Sequence, residues 1–400
     1  MKKIGILTFH RSVNCGAFIQ AYSLAKRLKE EYPNADVEII DYHMPIVANS
    51  YTYTFSSYIA ANNNIGRIKR IIRLAQHPTV IQKLNNRTKI FTECQKMLPL
   101  SGKTIFSNST DEVFDYINST YDVVIVGSDA VWNYASRGFP NAYFLNDKVH
   151  CKKLSYAASC YGMDYSTCPD KDIQQMSRFL SNFNFIGVRD EATENMVKYI
   201  NPELTPAHTC DPTCFLKVND LPVNEKKLRE KLHKRGFDFN KTTIGMMGSE
   251  KMCNMLRRMY GKCYQIVSLY EPVRNSDVDL YDLTPFEWAY VFRFFKVTFT
   301  TYFHGTMLSL RNGIPVICLA LQTNFAKKYT PKTLDLLKRL SYESWYFKTD
   351  YKTVHLDKIK SLADKMLQTE MHDEIVQRLD QEAANFDVFN DNLRRIMEEN

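Results

Sequence analysis

Short apolar runs alternate with stretches of helical periodicity along this chain, and the alternation stops once and then restarts. KIGILTF (3–9) reads as a buried strand, because its apolar residues are nearly continuous and polar residues bound it. The loop HRSVNCGA follows, then FIQAYSLAKRLKEEY with helical spacing, then VEIIDY (37–42) as the next strand. A strand–loop–helix–strand order makes neighbouring strands parallel, since parallel pairing needs a long crossover. YDVVIVGSD (121–129), KKLSYAAS (152–159) and FNFIGVRD (183–190) continue the series, and HTCDPTCFL (208–216) closes it. A second series opens at TTIGMMGS (242–249) and runs through YQIVSLY (264–270), VDLYDL (278–283), KVTFTTY (296–302) and VICLA (316–320). After residue 355 the pattern is helical.

The expected fold is therefore α/β, two doubly wound halves with a C-terminal helical tail. At 400 residues the chain exceeds one small core, which agrees with two units. The first is placed at 1–218, with an irregular helical insert at about 43–120. The charged stretch 217–241, nearly free of apolar runs, places a linker at 219–241. The second unit is placed at 242–360, and helices 361–400 are expected to pack back on the first. Ligands of such sheets bind beyond the carboxyl ends of the strands, so the cleft between the halves is the expected site.

A net charge of +8 suits an anionic ligand, an anionic membrane surface or nucleic acid. No basic stripe interleaved with aromatics is present, so nucleic acid is set aside. IGRIKRIIRLAQ places Arg67, Lys69, Arg70 and Arg73 between isoleucines, either a solvated helix face or a membrane-surface contact. Ten scattered cysteines without a CxxC read as free thiols in a reducing compartment, and no metal is expected. The N-terminal apolar run ILTF is too short for a signal peptide, and no stretch is long enough to span a bilayer. The expected location is cytoplasmic, with peripheral contact at the inner membrane face as an addition.

Four strand ends carry candidate chemistry. After the first strand, Asn14 and Gly16 make a tight turn, and Gly16 lets a backbone or ligand come close. The absence of GxGxxG argues against a dinucleotide site. Asp129, with Trp132 nearby, suits a sugar: the carboxylate accepts from hydroxyls and the ring covers C–H faces. Asp129 equally suits a helix cap. Arg189 offers a planar fork for carboxylate or phosphate, or an internal pair with Asp190. His304 stands at the start of a helix that Gly313 ends. There an imidazole can hold an anion beside backbone amides or move a proton near neutral pH.

Taken in order, ILTFHRSVNCGAFIQAYSLAKRLKE, YDVVIVGSDAVWN, KLSYAASCYG, FIGVRDEATENM, HTCDPTCF and TTYFHGTMLSLRNGIPVI resemble the polysaccharide pyruvyl transferase family. The resemblance implies two Rossmann-like domains facing a cleft, as in glycosyltransferase type B enzymes. It implies transfer of the pyruvyl group of phosphoenolpyruvate onto two hydroxyls of a hexose, giving a cyclic ketal in a surface polysaccharide. Arg189 and His304 would hold phosphoenolpyruvate, with the Gly305 and Thr306 amides beside them. His304 would give the proton or touch the phosphate. Asp129 would be the base, with Asn14, Gly16 and Trp132 on the acceptor side. Many members carry Arg-Leu-His-Gly where this chain has Tyr302-Phe303-His304-Gly305, so another cation would have to substitute for the missing arginine, Arg274 and Arg311 being candidates. No cofactor is implied beyond the donor substrate. The acceptor is a sugar, a lipid-linked oligosaccharide being one form. The competing readings are a glycosyltransferase of the same fold using a nucleotide sugar, and a non-catalytic carbohydrate-binding protein.

Overall fold

Continuous burial turns the short apolar runs into strands. The computed structural model describes residues 1–43, 54–60, 64–76, 78–134, 138–269, 273–321 and 329–399. The first half contributes β1 (Lys3–Leu7), β2 (Asp36–Ile39), β3 (Tyr42–His43), β4 (Ile105–Phe106), β5 (Val123–Val126), β6 (Lys152–Ala158), β7 (Phe185–Val188) and β8 (Ala207–His208). Six of these form one parallel sheet in the order β2-β1-β5-β6-β7-β8. All four residues of β5, VVIV, are buried, as a strand covered on both faces requires.

The second half contributes β9 (Thr243–Met247), β10 (Gln265–Ser268), β11 (Val278–Asp279), β12 (Val297–Thr300), β13 (Val316–Leu321) and β14 (Tyr346–Thr349). These pair in parallel in the order β11-β10-β9-β12-β13-β14. Strand order reverses beside β1 in one sheet and beside β9 in the other, where an open α/β sheet leaves a crevice. In this half β14 escapes the sequence reading, as β4 does in the first: two of its four positions are half-buried and one is exposed, so YFKT lacks an apolar run.

The stretch expected as a linker holds the helix Glu225–Lys234. Asn224 caps it through Lys227 N, and Leu228 and Leu232 are buried in the core. Two leucines four apart are enough for one buried stripe on a helix that is otherwise charged. Within the insert, β3 pairs with β4, and helices span Phe55–Ile59, Asn64–Gln76, Val80–Gln95 and Thr110–Thr120. The side chain of Arg73 lies outside the described residues.

The two halves touch through aromatic rings. Phe18 and Tyr22, on the helix Cys15–Glu31, meet Phe286 of the helix Pro285–Val291 edge-on at 5.2 and 5.0 Å. The tail helices His372–Ala383 and Phe386–Glu398 return to the first sheet. Phe389 packs 4.8 Å from Tyr156, the Tyr32 hydroxyl donates to Asn390 Oδ1 at 2.7 Å, and the Arg27 guanidinium lies 4.8 Å over Phe386. A fully buried aromatic side chain of this kind contributes about 1.5–3 kcal/mol.

Candidate functional site

The carboxyl ends of β1, β5, β6 and β7 face those of β9, β12 and β13 across a cleft of about 750 Å³. Its walls include Asn14, Asp129, Tyr161, Asp190, Trp288, Tyr302, His304 and Lys332. Each arrives at a strand end or on the first turn of the following helix, because there the backbone leaves the sheet and side chains point outward.

Asp211, just after β8, organises the floor. Its Oδ2 accepts from Arg189 Nη1 at 2.9 Å, and His304 Nε2 lies 3.7 Å from the same atom. Its Oδ1 accepts from Thr213 N at 3.0 Å, capping a turn of 3-10 helix. Burial alone would raise this carboxyl, yet His304 and Arg189 outweigh it and hold Asp211 well below the usual carboxylate range. Asp211 thus both makes the turn and joins the halves.

Arg189 is 1% exposed. Besides Asp211, it faces Asp129 Oδ1 at 3.7 Å and Asp190 Oδ2 at 4.0 Å. The guanidinium is thus the shared counterion of three carboxylates and stays out of the cleft wall. This corrects the expectation of an open anion clamp: a charge this deep is neutralised by paired carboxylates. Its Nε and Nη2 nevertheless have no hydrogen-bond partner. Asp190 is committed to structure, accepting from Thr193 N at 3.0 Å and Ser159 Oγ at 2.6 Å as the cap of the helix Glu191–Ile200.

Asp129 does face the cleft, and its backbone has φ +82°, unusual for a residue with a side chain. Its Oδ1 accepts from Ala130 N at 2.8 Å. Burial pushes its pKa up, but Arg189, His304 and Lys332 together bring it below the ordinary value. Asp129 thus closes a local turn and presents an ionised carboxylate to the cleft.

His304 is the second residue of the helix Phe303–Arg311, and its Nε2 has no hydrogen-bond partner. Gly16 lies directly against the ring: a Cβ there would sit 2.2 Å from His304 Cγ and Nδ1. The close approach that Gly16 permits is thus the imidazole of the other half. Asn14 caps the helix Cys15–Glu31 through Gly16 N at 2.9 Å and Ala17 N at 3.3 Å, and it lines the cleft.

A family model for polysaccharide pyruvyl transferase matches residues 14–323. The chain belongs to the polysaccharide pyruvyl transferase family. No curated protein sequence matches it significantly. Among solved structures it is similar to UDP-GlcNAc 2-epimerase from Neisseria meningitidis bound to UDP-GlcNAc, with 10% identity, TM-score 0.55, and coverage of 99% of this chain and 100% of that one. It is also similar to UDP-GlcNAc 2-epimerase from Methanocaldococcus jannaschii, with 11% identity, TM-score 0.50, and coverage of 93% and 94%. At such identity the likeness is one of fold. The fold is glycosyltransferase type B-like, two Rossmann-like units facing a cleft, and family membership makes the chain a transferase of polysaccharide modification.

Two of the expected contacts fail to reach the cleft. Trp132 is fully buried in the first half, where its Nε1 donates to Tyr143 O at 3.0 Å and its ring stacks on Phe144 at 6.1 Å. Thr306 is also buried; its amide donates to Tyr302 O at 3.1 Å, and its hydroxyl lies 3.1 Å from Cys318 Sγ. As the fourth helical residue, Thr306 already has an intrahelical acceptor. Gly305, one residue earlier, is in the first turn, and a Cβ there would meet Thr300 Oγ1 at 2.5 Å and Met247 Sδ at 2.8 Å.

Among the described residues that line the cleft, the one lysine or arginine is Lys332, which sequence reasoning missed. It opens the helix Lys332–Arg339, half-buried, with Nζ 4.2 Å from the Tyr161 ring and 5.1 Å from the Phe303 ring. Phe303 has Arg189 Cζ at 4.8 Å as well, so one ring lies beside two cations. Burial, with Arg189 close by, brings Lys332 down to about 8. Neither arginine considered from sequence serves: Arg311 donates to Leu216 O at 2.7 Å at the far end of its helix, and Arg274 is exposed and outside the cleft wall. The only hint in sequence was a lysine after Pro331 at a helix start. Among the described residues no group of three or more His, Cys, Asp or Glu is placed to hold a metal ion.

Proposed function

We propose that this chain moves the pyruvyl group of phosphoenolpyruvate onto two hydroxyls of one hexose, forming a cyclic ketal in surface polysaccharide biosynthesis. One observation carries the reading. A single carboxylate oxygen of Asp211 joins Arg189 to His304 across the two halves, with Asp129 and Lys332 on the same cleft walls. That set supplies a cation, a proton donor and a base around one point.

Lys332 and the first-turn amides of the helix Phe303–Arg311 meet the carboxylate and phosphate of the donor. His304 gives a proton to C3, and Asp211 stabilises the imidazolium before transfer. C2 becomes cationic, and a sugar hydroxyl bonds to it while Asp129 takes the hydroxyl proton. The second hydroxyl of the same sugar then bonds to C2, and the C2–O bond to phosphate breaks with its electron pair on the leaving oxygen. One hydroxyl proton restores His304 and the other leaves with phosphate. Arg189 acts through the carboxylates it keeps ionised. A three-carbon phosphate ester fills little of about 750 Å³, and the remainder accommodates the acceptor sugar.

Thermal stabilisation by phosphoenolpyruvate, beside UDP-sugars, tests this on wild type, His304→Ala and Lys332→Ala. A ligand at about 100 times its Kd adds roughly 2.7 kcal/mol. Stabilisation by phosphoenolpyruvate, lost in both variants, supports pyruvyl transfer. A shift with UDP-sugars alone moves the reading to glycosyl transfer.

A further inference from the structure

The helix Asn64–Gln76 keeps its isoleucines out of the core: Ile68 is 57% exposed, Ile71 48% and Ile72 51%. At about 100° per residue these three and exposed Ala75 fall on one stripe, with exposed Arg67 and Lys69 bordering it on opposite sides. The preceding helix Phe55–Ile59 adds Phe55, 59% exposed. Arg70, away from the stripe, donates from Nη1 to Tyr58 O at 3.0 Å and ties the two helices together. The next helix, Val80–Gln95, buries Phe91 and Cys94 in the first half, so the exposed stripe is joined to the body of the protein.

Single exposed isoleucines need no explanation, but three on one helical stripe do. Charge indicates what covers them. Between Asp41 and Glu93 the chain has no Asp or Glu, yet it carries Arg67, Lys69, Arg70, Arg73, Lys83, Arg87 and Lys89. Those residues account for nearly all of the formal net charge of +8. A partner must be apolar where the stripe lies and anionic at its borders. Among the described residues no helix is long and apolar enough to cross a membrane, so the contact lies at a surface.

We infer that the helix pair within 55–76 docks the protein on an anionic lipid surface. Ile68, Ile71 and Ile72 enter the boundary between headgroups and acyl chains, while Arg67 and Lys69 meet the anionic headgroups. The inference stands apart from the donor chemistry, and its test uses no substrate.

The full chain is floated with phosphatidylcholine vesicles and with vesicles in which about a third of the lipid is phosphatidylglycerol. Wild type binds the anionic vesicles, binds the neutral ones at least roughly tenfold more weakly, and is released by salt. Ile68→Ser/Ile71→Ser/Ile72→Ser and Arg67→Glu/Lys69→Glu each lower binding by roughly tenfold or more, with unchanged circular dichroism and Tm. Absence of wild-type binding overturns the inference, as does binding that neither variant weakens. A dimer in vesicle-free solution that the isoleucine variant splits, without loss at vesicles, assigns the stripe to a second copy of the chain instead.

Discussion

Asp211 Oδ2 lies 2.9 Å from Arg189 Nη1 and 3.7 Å from His304 Nε2, so one atom of the first half addresses both a buried cation and the imidazole of the second half. The separation between the halves is thereby tied to the electrostatics of the site. A change at Asp211 is felt in stability and in turnover together.

Asp211→Asn leaves Arg189 with only its longer contacts to Asp129 and Asp190. Breaking a buried pair from one side costs about 3 kcal/mol, readable by urea unfolding at neutral pH. The pH dependence has a definite sign. Asp211 has a folded pKa below its unfolded one, so its contribution is present above about pH 4 and is lost as pH falls toward the folded value. The variant should show a shallower loss of stability in acid than wild type; an identical slope would remove Asp211 from that role.

Gly16→Ala places a methyl within 2.2 Å of the His304 ring, which has to move. Turnover should fall at least roughly tenfold, since a displacement of 1 Å at such a group can cost far more. A Cβ at residue 16 would also lie 2.6 Å from His304 Cβ, so the pairing with His304→Gly decides the cause: combined with that removal of ring and Cβ, Gly16→Ala should lose most of its effect on Tm, a coupling of about 1–2 kcal/mol. Additive effects would mean that Gly16 acts on something other than the ring.

Lys332 titrates at about 8, so the affinity for phosphoenolpyruvate should weaken as pH rises through that value. Lys332→Arg should shift that alkaline limb upward, and Lys332→Gln should abolish it while raising KM roughly tenfold or more. Stability runs the other way. Because the folded pKa is below the unfolded 10.5, the penalty for the buried charge is full below about 8 and is relieved as pH rises above it. Unfolding free energies at pH 7 and pH 9.5, compared between wild type and Lys332→Gln, check the sign.

Trp132→Phe tests whether the indole belongs to the interior of the first half. The Tyr143 carbonyl loses the indole N–H it accepts from at 3.0 Å, at a cost of about 1–3 kcal/mol. With the ring sealed inside the first half, kcat/KM for donor and acceptor should stay within about twofold once folding is matched. A large rise in the acceptor KM would put the indole back at the cleft.

Trp132 and Lys332 mark where sequence stopped being informative. Local periodicity determined the wound α/β halves, because an apolar run ended by a polar loop and a helix leaves the backbone few other ways to bury itself. It also determined which strand ends could carry chemistry, and Asp129, Asn14 and His304 do line the cleft. The helix Glu225–Lys234 and β14 were hidden because two buried leucines or one half-buried strand make too little local signal. The tertiary structure alone decided orientation and partnership. Trp132 turns inward because the Tyr143 carbonyl satisfies its N–H, and Thr306 is spent inside its helix. Arg189 sinks beneath the cleft because three carboxylates surround it, Asp211 among them, 22 residues further along the chain. Lys332 comes alongside through Phe303 and Tyr161, from different halves of the fold. Burial and ion pairing act between residues far apart in the chain, and spacing along a sequence carries no record of them.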